Sequence, residues 1–258
     1  MGSAFTTYEI MVATAARMLR DTEVVFVGIG IPNVAVNLAR RTRCPNLVLI
    51  YESGAIGAQP ARLPISIGDP ALVTGAAGVC SMPELFHYYL QRGVTDVGFL
   101  GGAQIDQYGN LNSSFIGDPD HPKVRLPGTG GANDIASLAS KILIAMHHEK
   151  KRFVEKVDFI TTPGYLHGGD SREKAGLIAG GIHKVITHLG FFGFDPKTRR
   201  MKLESLHPGA TVEEVCDKTG FDLIVPDNVP CTQPPTAEEL RILRQLDPDQ
   251  KYTRAKEE

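Results

Sequence analysis

The residue of this 258-residue sequence best placed to do chemistry is a glutamate at the end of an apolar run. Glu52 follows residues 46–50 (NLVLI) and Tyr51, and the chain then turns through Ser53, Gly54 and Gly57. In open α/β sheets ligands gather outside the carboxyl ends of the strands, which is where this glutamate is expected. A carboxylate there can act as base, ligand or nucleophile, and position alone does not choose among them. The same residue also fits a helix-capping or salt-bridging acid at a strand end.

Glycine-rich turns offer the next candidates. Gly28 and Gly30 form a GxG after a strand and before a helix, but Pro32-Asn33 stands where a dinucleotide fingerprint needs its last glycine. The acid that such a fingerprint places about twenty residues on would be Glu52 itself. Gly101-Gly102-Ala103 also ends a strand; small residues there let a ligand touch the backbone, and exposed N–H groups can stabilise an oxyanion. A tight strand-to-loop transition explains the same residues equally well. Gly128-Thr129-Gly130-Gly131 precedes a helix and offers N–H groups to an anion, or simply a flexible turn. There is no GKS or GKT, hence no P-loop, and no GxSxG elbow around Ser53 or Ser113-Ser114. His147-His148, His167, His183 and His188 show no ligand spacing, so no metal is expected.

The elements that must position these groups read as alternating strands and helices. Residues 5–20 have helical apolar spacing, 23–27 (EVVFV) form a strand, 33–43 a helix opened by Pro32, and 46–50 a second strand. Ser81-Met82-Pro83-Glu84 has the form of a capping box opening a helix that ends near Gly93, with a strand at 96–100 beyond it. Residues 101–131 have little periodicity, the mark of a functional loop. A helix at 134–141 follows, then strands at 142–146 and 153–161. An antiparallel pair, 184–194 and 201–205, is joined by the turn at Asp195-Pro196-Lys197-Thr198. Helices at 211–218 and 236–246 close the chain. Continuous apolar strands between helices imply an α/β fold: an open, mostly parallel sheet with helices on both faces and a small antiparallel element near 184–205. No repeat or Ser/Gly linker interrupts it, so the whole of 1–258 reads as a single domain.

Composition bounds the partners. With 42% hydrophobic and 22% charged residues and a formal net charge of -2, the chain offers no footprint for nucleic acid or an anionic membrane. The run at 147–152 (HHEKKR) reads as a solvated face. Cys44, Cys80, Cys216 and Cys231 form no CxxC. With no signal peptide and no long apolar run, a cytoplasmic protein with reduced thiols is expected. Met1-Gly2-Ser3 reads as an expression remnant.

Three motifs carry a resemblance: Tyr51-Glu52-Ser53-Gly54, the GxGxP turn at residues 28–32, and Gly101-Gly102-Ala103-Gln104-Ile105-Asp106. Together with FLGGAQIDQYGNLNSS, IGDPDHPKVRLPGTGGAN and the HEKKRF run, they resemble the beta subunit of the class I CoA transferases, in particular its glutaconate CoA-transferase branch. The likeness covers nearly the whole chain. Many relatives have Ser-Glu-Asn-Gly at this point, and the Glu-Ser-Gly found here is similar to that of the glutaconate branch.

The resemblance implies a fold related to sugar-phosphate isomerases and to effector-binding domains of some repressors. It implies Glu52 as the nucleophile that carries CoA as a thioester. Gly101, Gly102, Ala103, Gly28 and Gly30 would line the oxyanion and CoA site. A homologous alpha subunit would complete the enzyme as a heterodimer or a higher hetero-oligomer. No cofactor is implied beyond CoA as substrate, and a dicarboxylic acid such as glutaconate is the expected acid. Some relatives on this fold cleave a ring in a CoA ester or decarboxylate a glutaconyl-type ester, with an altered motif at the glutamate. A ligand-sensing module is the third alternative.

Overall fold

The computed structural model describes residues 4–177 and 179–254. Met1-Gly2-Ser3, read above as a remnant, lies outside the described residues. The chain forms two compact units, one from Met1–Phe99 with Gln233–Glu258 and the other from Leu100–Thr232.

In the first unit, helix α1 (Thr7–Arg17) opens on a capping box between Thr6 and Glu9. Strand β1 (Val24–Val27) leads to α2 (Ile31–Arg41) and β2 (Val48–Tyr51). Two short strands, β3 (Ala55–Ile56) and β4 (Gly78–Val79), come before the α3 turn (Met82–Glu84) and β5 (Val97–Leu100). Strand β1 pairs in parallel with β2, Val27 opposite Tyr51, and with β5, Val27 opposite Phe99. The next pairs are antiparallel: Ile50 opposite Ile56, then Ala55 opposite Val79. Val25, Phe26 and Val27 are all buried, although successive strand side chains leave opposite faces. Both faces of β1 are therefore covered, as its unbroken apolar run anticipates.

The C-terminal helix α7 (Ala237–Leu246) packs with α1 and α2. It too starts in a capping box, Thr236 with Glu239, and the two boxes are tied together. Arg17 of α1 grips Glu239 at 2.6 Å, and Arg244 of α7 reaches Glu9 at 2.8 Å. Each capping glutamate thus satisfies a helix start and pairs with an arginine of the other helix. The Ser81–Glu84 box forms as expected, but past α3 the helix widens into bonds five residues apart, Gln91 N–H to Phe86 C=O at 2.9 Å among them.

The second unit begins with two small hairpins where the sequence suggested an irregular loop. These are β6 (Gln104–Ile105) with β7 (Leu111–Asn112), and β8 (Phe115–Gly117) with β9 (Pro122–Arg125). After α4 (Ala132–Leu138), β10 (Lys141–Ala145) and the α5 turn (Ser171–Lys174), β11 (Ile182–Ile186) pairs in parallel with β10. Strands β12 (Gly190–Phe194) and β13 (Met201–Leu206) continue antiparallel, and α6 (Val212–Asp217) follows.

Two expectations need correction here. The run at 184–194 is two strands, because the Thr187 hydroxyl accepts the N–H groups of Leu189 and Gly190 and turns the chain there. The strand expected at 153–161 is absent. Its buried residues, Phe153, Val157 and Thr161, are spaced four apart, while Phe159 and Ile160 are exposed, so the spacing never alternates. The segment makes a single bridge, Phe153 with Ile105. Among the described residues, no helix is long and apolar enough to cross a membrane.

Candidate active site

Glu52 lies in a three-residue connection between β2 and β3, not in a strand-to-helix turn. The Gly54 N–H returns to the Tyr51 C=O at 2.9 Å, closing the turn over Glu52 and Ser53. Gly54 adopts φ of 100°, a conformation that suits glycine. A β-carbon there would also lie 1.9 Å from the Cys80 carbonyl oxygen. The same backbone receives support from Cys80, whose N–H bonds the Gly54 C=O at 3.0 Å. Glu52 is thus half-buried on a hairpin whose geometry two glycine requirements fix.

A narrow crevice runs beside it. Val27 and Gly28 form one wall at the end of β1, residues 51–53 form another, and Ile67 and Leu72 close it. Gly28 meets the crevice without a side chain, and a β-carbon added there would touch nothing within 4 Å. The structure therefore brings Gly28 and Glu52 together at the carboxyl ends of two parallel strands. Gly30 serves differently: with φ of 87° it caps α2, and it does not line the crevice.

Tyr51 anchors the hairpin from below. Its ring is buried and its hydroxyl donates to Asn33 Oδ1 at 2.7 Å. The Asn37 amide donates to the same oxygen at 2.8 Å. Burial pushes the Tyr51 hydroxyl up to about 12, so it stays protonated and keeps donating. This network escaped the sequence reading; its only signal is a pair of asparagines one turn apart within an otherwise apolar helix face.

Gly101, Gly102 and Ala103 belong to the second unit, where the chain leaves β5. Gly102 packs tightly: a β-carbon would lie 3.2 Å from Leu111. The Ala103 N–H is committed to the Asn112 C=O at 2.8 Å, so it does not serve as an oxyanion donor in this arrangement. The motif that follows is a buried polar lock. Asp106 accepts the N–H groups of Tyr108 and Asn110 and the Asn110 amide, while Asn110 Oδ1 accepts the N–H groups of Gly164 and Leu166. Gln104 joins Asn112 at 2.7 Å and Asp158 at 3.1 Å. These side chains position the loop through their own hydrogen bonds.

The remaining candidates play structural parts. The glycine run at 128–131 leads into a helix of only seven residues, and the Thr129 hydroxyl accepts the Asn133 N–H. His147 stacks on His188 with ring centroids 4.0 Å apart, and His148 stacks on Phe153 at 3.8 Å. In the HHEKKR run, Glu149 pairs with His147 and Lys151.

A family model described as Coenzyme A transferase matches residues 8–218. Over 245 residues the chain is 47% identical to the beta (B) subunit of 3-oxoadipate CoA-transferase from Pseudomonas knackmussii, covering 95% of this chain and 94% of the relative. It is 38% identical over 255 residues to the beta (B) subunit of glutaconate CoA-transferase from Acidaminococcus fermentans, covering 96% and 95%. The crystal structure of glutaconate coenzyme A-transferase from that organism superposes with a TM-score of 0.91 at 35% identity, covering 98% of this chain and 99% of that one. A more distant relative is the cholesterol ring-cleaving hydrolase IpdB subunit of Mycobacterium tuberculosis, 27% identical over 239 residues and 92% of each chain.

Proposed function

Because this chain belongs to the coenzyme A transferase family, we propose that it is the Glu52-bearing half of a two-chain enzyme that moves CoA between an acyl-CoA and a dicarboxylic acid. The observation that carries the assignment is the position of Glu52, held on a rigid hairpin beside the bare backbone of Gly28 at the carboxyl end of the parallel strands.

In the proposed cycle a Glu52 carboxylate oxygen attacks the thioester carbonyl carbon. The C–S bond breaks, CoA leaves as thiolate, and a mixed anhydride joins the acyl group to Glu52. The thiolate then attacks the glutamyl carbonyl, displacing the first acid as carboxylate and leaving a glutamyl-CoA thioester. A second acid reverses the two steps and departs as the new acyl-CoA. The thioester's free energy stays on the enzyme, so no ATP is consumed. A carboxylate is a weak nucleophile in water. The turn that fixes Glu52 limits its search for the thioester, and binding of the remote parts of CoA drives the approach. Gly28, which admits the thioester without a side chain, is proposed as its contact on the first unit. Gly101 and Gly102 are proposed backbone contacts for the acyl-CoA, with Gly102 as the amide donor in place of Ala103.

The dicarboxylic acid is inferred from the relatives named for 3-oxoadipate and for glutaconate, each of which carries two carboxylates. The partner is inferred from the same names, since each relative is one lettered component of a larger enzyme; a homologous alpha subunit completes this one. The test is a transfer assay on the co-expressed pair with glutaryl- or succinyl-type CoA donors. The expected result is ping-pong kinetics with an absolute need for an acceptor acid, little free CoA without one, and no transfer by the single chain. Steady release of free CoA or carbon dioxide without an acceptor would instead identify a hydrolase or decarboxylase.

A further inference from the structure

The far end of α2 carries a second concavity, of about 240 Å³ and separate from the crevice at Glu52. Its polar lining is Asn37, Arg40, Arg41 and Gln59, with Pro45 and Pro60 at the sides, and no acidic residue takes part. Arg40 donates to the Ala58 carbonyl and Arg41 to the Pro60 carbonyl. Among the described residues neither guanidinium has a carboxylate within ion-pair distance, whereas Arg17, Arg62 and Arg244 of the same unit each hold one. The Arg40 Nε is buried with no acceptor. Burial, and then the neighbouring Arg41 charge, act against the charged form of Arg40.

Basic residues in a helix's last turn complement its dipole, which accounts for the charges being there. It does not account for two guanidiniums facing one hollow or for an orphaned N–H. Guanidinium forks match oxyanions geometrically, and the Gln59 amide adds neutral donors, while both N–H groups of the Asn37 amide are spent on Asn33. We propose that this pocket binds a small oxyanion, a phosphate or carboxylate group, bridged between Arg40 and Arg41. Asn37 in the pocket wall also reaches toward the hairpin, since its amide and the Tyr51 hydroxyl share Asn33 Oδ1.

The test is thermal unfolding of the purified protein in complex with its partner chain, in inorganic phosphate against sodium chloride at equal ionic strength. A saturable rise in Tm with phosphate beyond that with chloride is expected. Arg41→Gln removes the rise, while Arg43→Gln, outside the pocket, keeps it. Gln59→Glu supplies the missing carboxylate from within, so it raises Tm without phosphate and abolishes the response. Equal behaviour in phosphate and chloride, or a full phosphate response in Arg41→Gln and Gln59→Glu, would overturn the proposal. Titration with CoA and with dephospho-CoA then separates the sources. Weaker binding of CoA alone in Arg41→Gln identifies the coenzyme's 3′-phosphate as the occupant. Unchanged binding of both identifies a free anion.

Discussion

Among single residues the proposed chemistry falls to Glu52, and its substitutions separate charge from reach. Glu52→Ala removes the nucleophile and should nearly abolish transfer in the reconstituted pair. Glu52→Gln keeps the size and loses the negative oxygen, so it should be almost as inactive. Glu52→Asp keeps the charge but withdraws it by about 1 Å, a misplacement that costs on the order of a hundredfold in kcat. Turnover of Glu52→Gln within about tenfold of wild type, far short of the loss expected for a nucleophile, would remove Glu52 from the chemistry. Tyr51 supports this residue from the strand end, since its buried hydroxyl ties that end to α2.

One level up, the β2–β3 hairpin is the device that places the carboxylate. Gly54→Ala meets a positive φ and a backbone oxygen 1.9 Å away, so the turn must shift. Strain of about 1–2 kcal/mol from the left-handed backbone alone should lower Tm by several degrees, and the displaced Glu52 should lower kcat further. A Gly54→Ala protein with wild-type Tm and kcat would show that the turn does not constrain the site. Much of this architecture was legible in the sequence. The unbroken apolar runs of β1, β2 and β5 announced parallel strands, Ser81 and Glu84 announced a cap, and Glu52 stood out from its place after NLVLI. The hairpin itself was not legible. The strand β3 that follows Glu52 is two residues long, too short to show alternation, and its partner β4 (Gly78–Val79) lies far along the chain. The break at Thr187 was missed because a hydroxyl makes that turn and the apolar run 184–194 was read straight through the Gly190 that ends it. The Arg40–Arg41 pocket depends on residues 58–60 folding back onto α2, a contact no local pattern encodes.

Across the molecule as a whole, no linker marks the two units, because the first is assembled from both ends of the chain. The second unit carries an acid-sensitive core. His148 and His207 are buried, and burial lowers them to about 3 and about 4. The Thr219 hydroxyl donates to Val215, so His148 Nε2–H donates to it; His207 Nε2–H donates to the Thr187 carbonyl. In each ring Nδ1 is buried with no partner among the described residues, so a second proton there would find no acceptor. Below the ordinary histidine value of about 6.5 the unfolded chain binds protons that the folded one refuses. Stability is therefore full above that pH and falls by up to about 1.4 kcal/mol per unit for each histidine below it. Urea midpoints should match at about pH 8 and 7 and drop clearly by about pH 5; equal midpoints at the two lower values would contradict the assignment.

Above all, the proposed cycle requires that Glu52 itself carry CoA between two acids. That covalent state can be trapped by incubating the enzyme pair with acyl-CoA and no acceptor, reducing with borohydride, and mapping the modified peptide by mass. Reduction at Glu52 alone is the expected result, and modification at Cys80 or another thiol with Glu52 intact would contradict it.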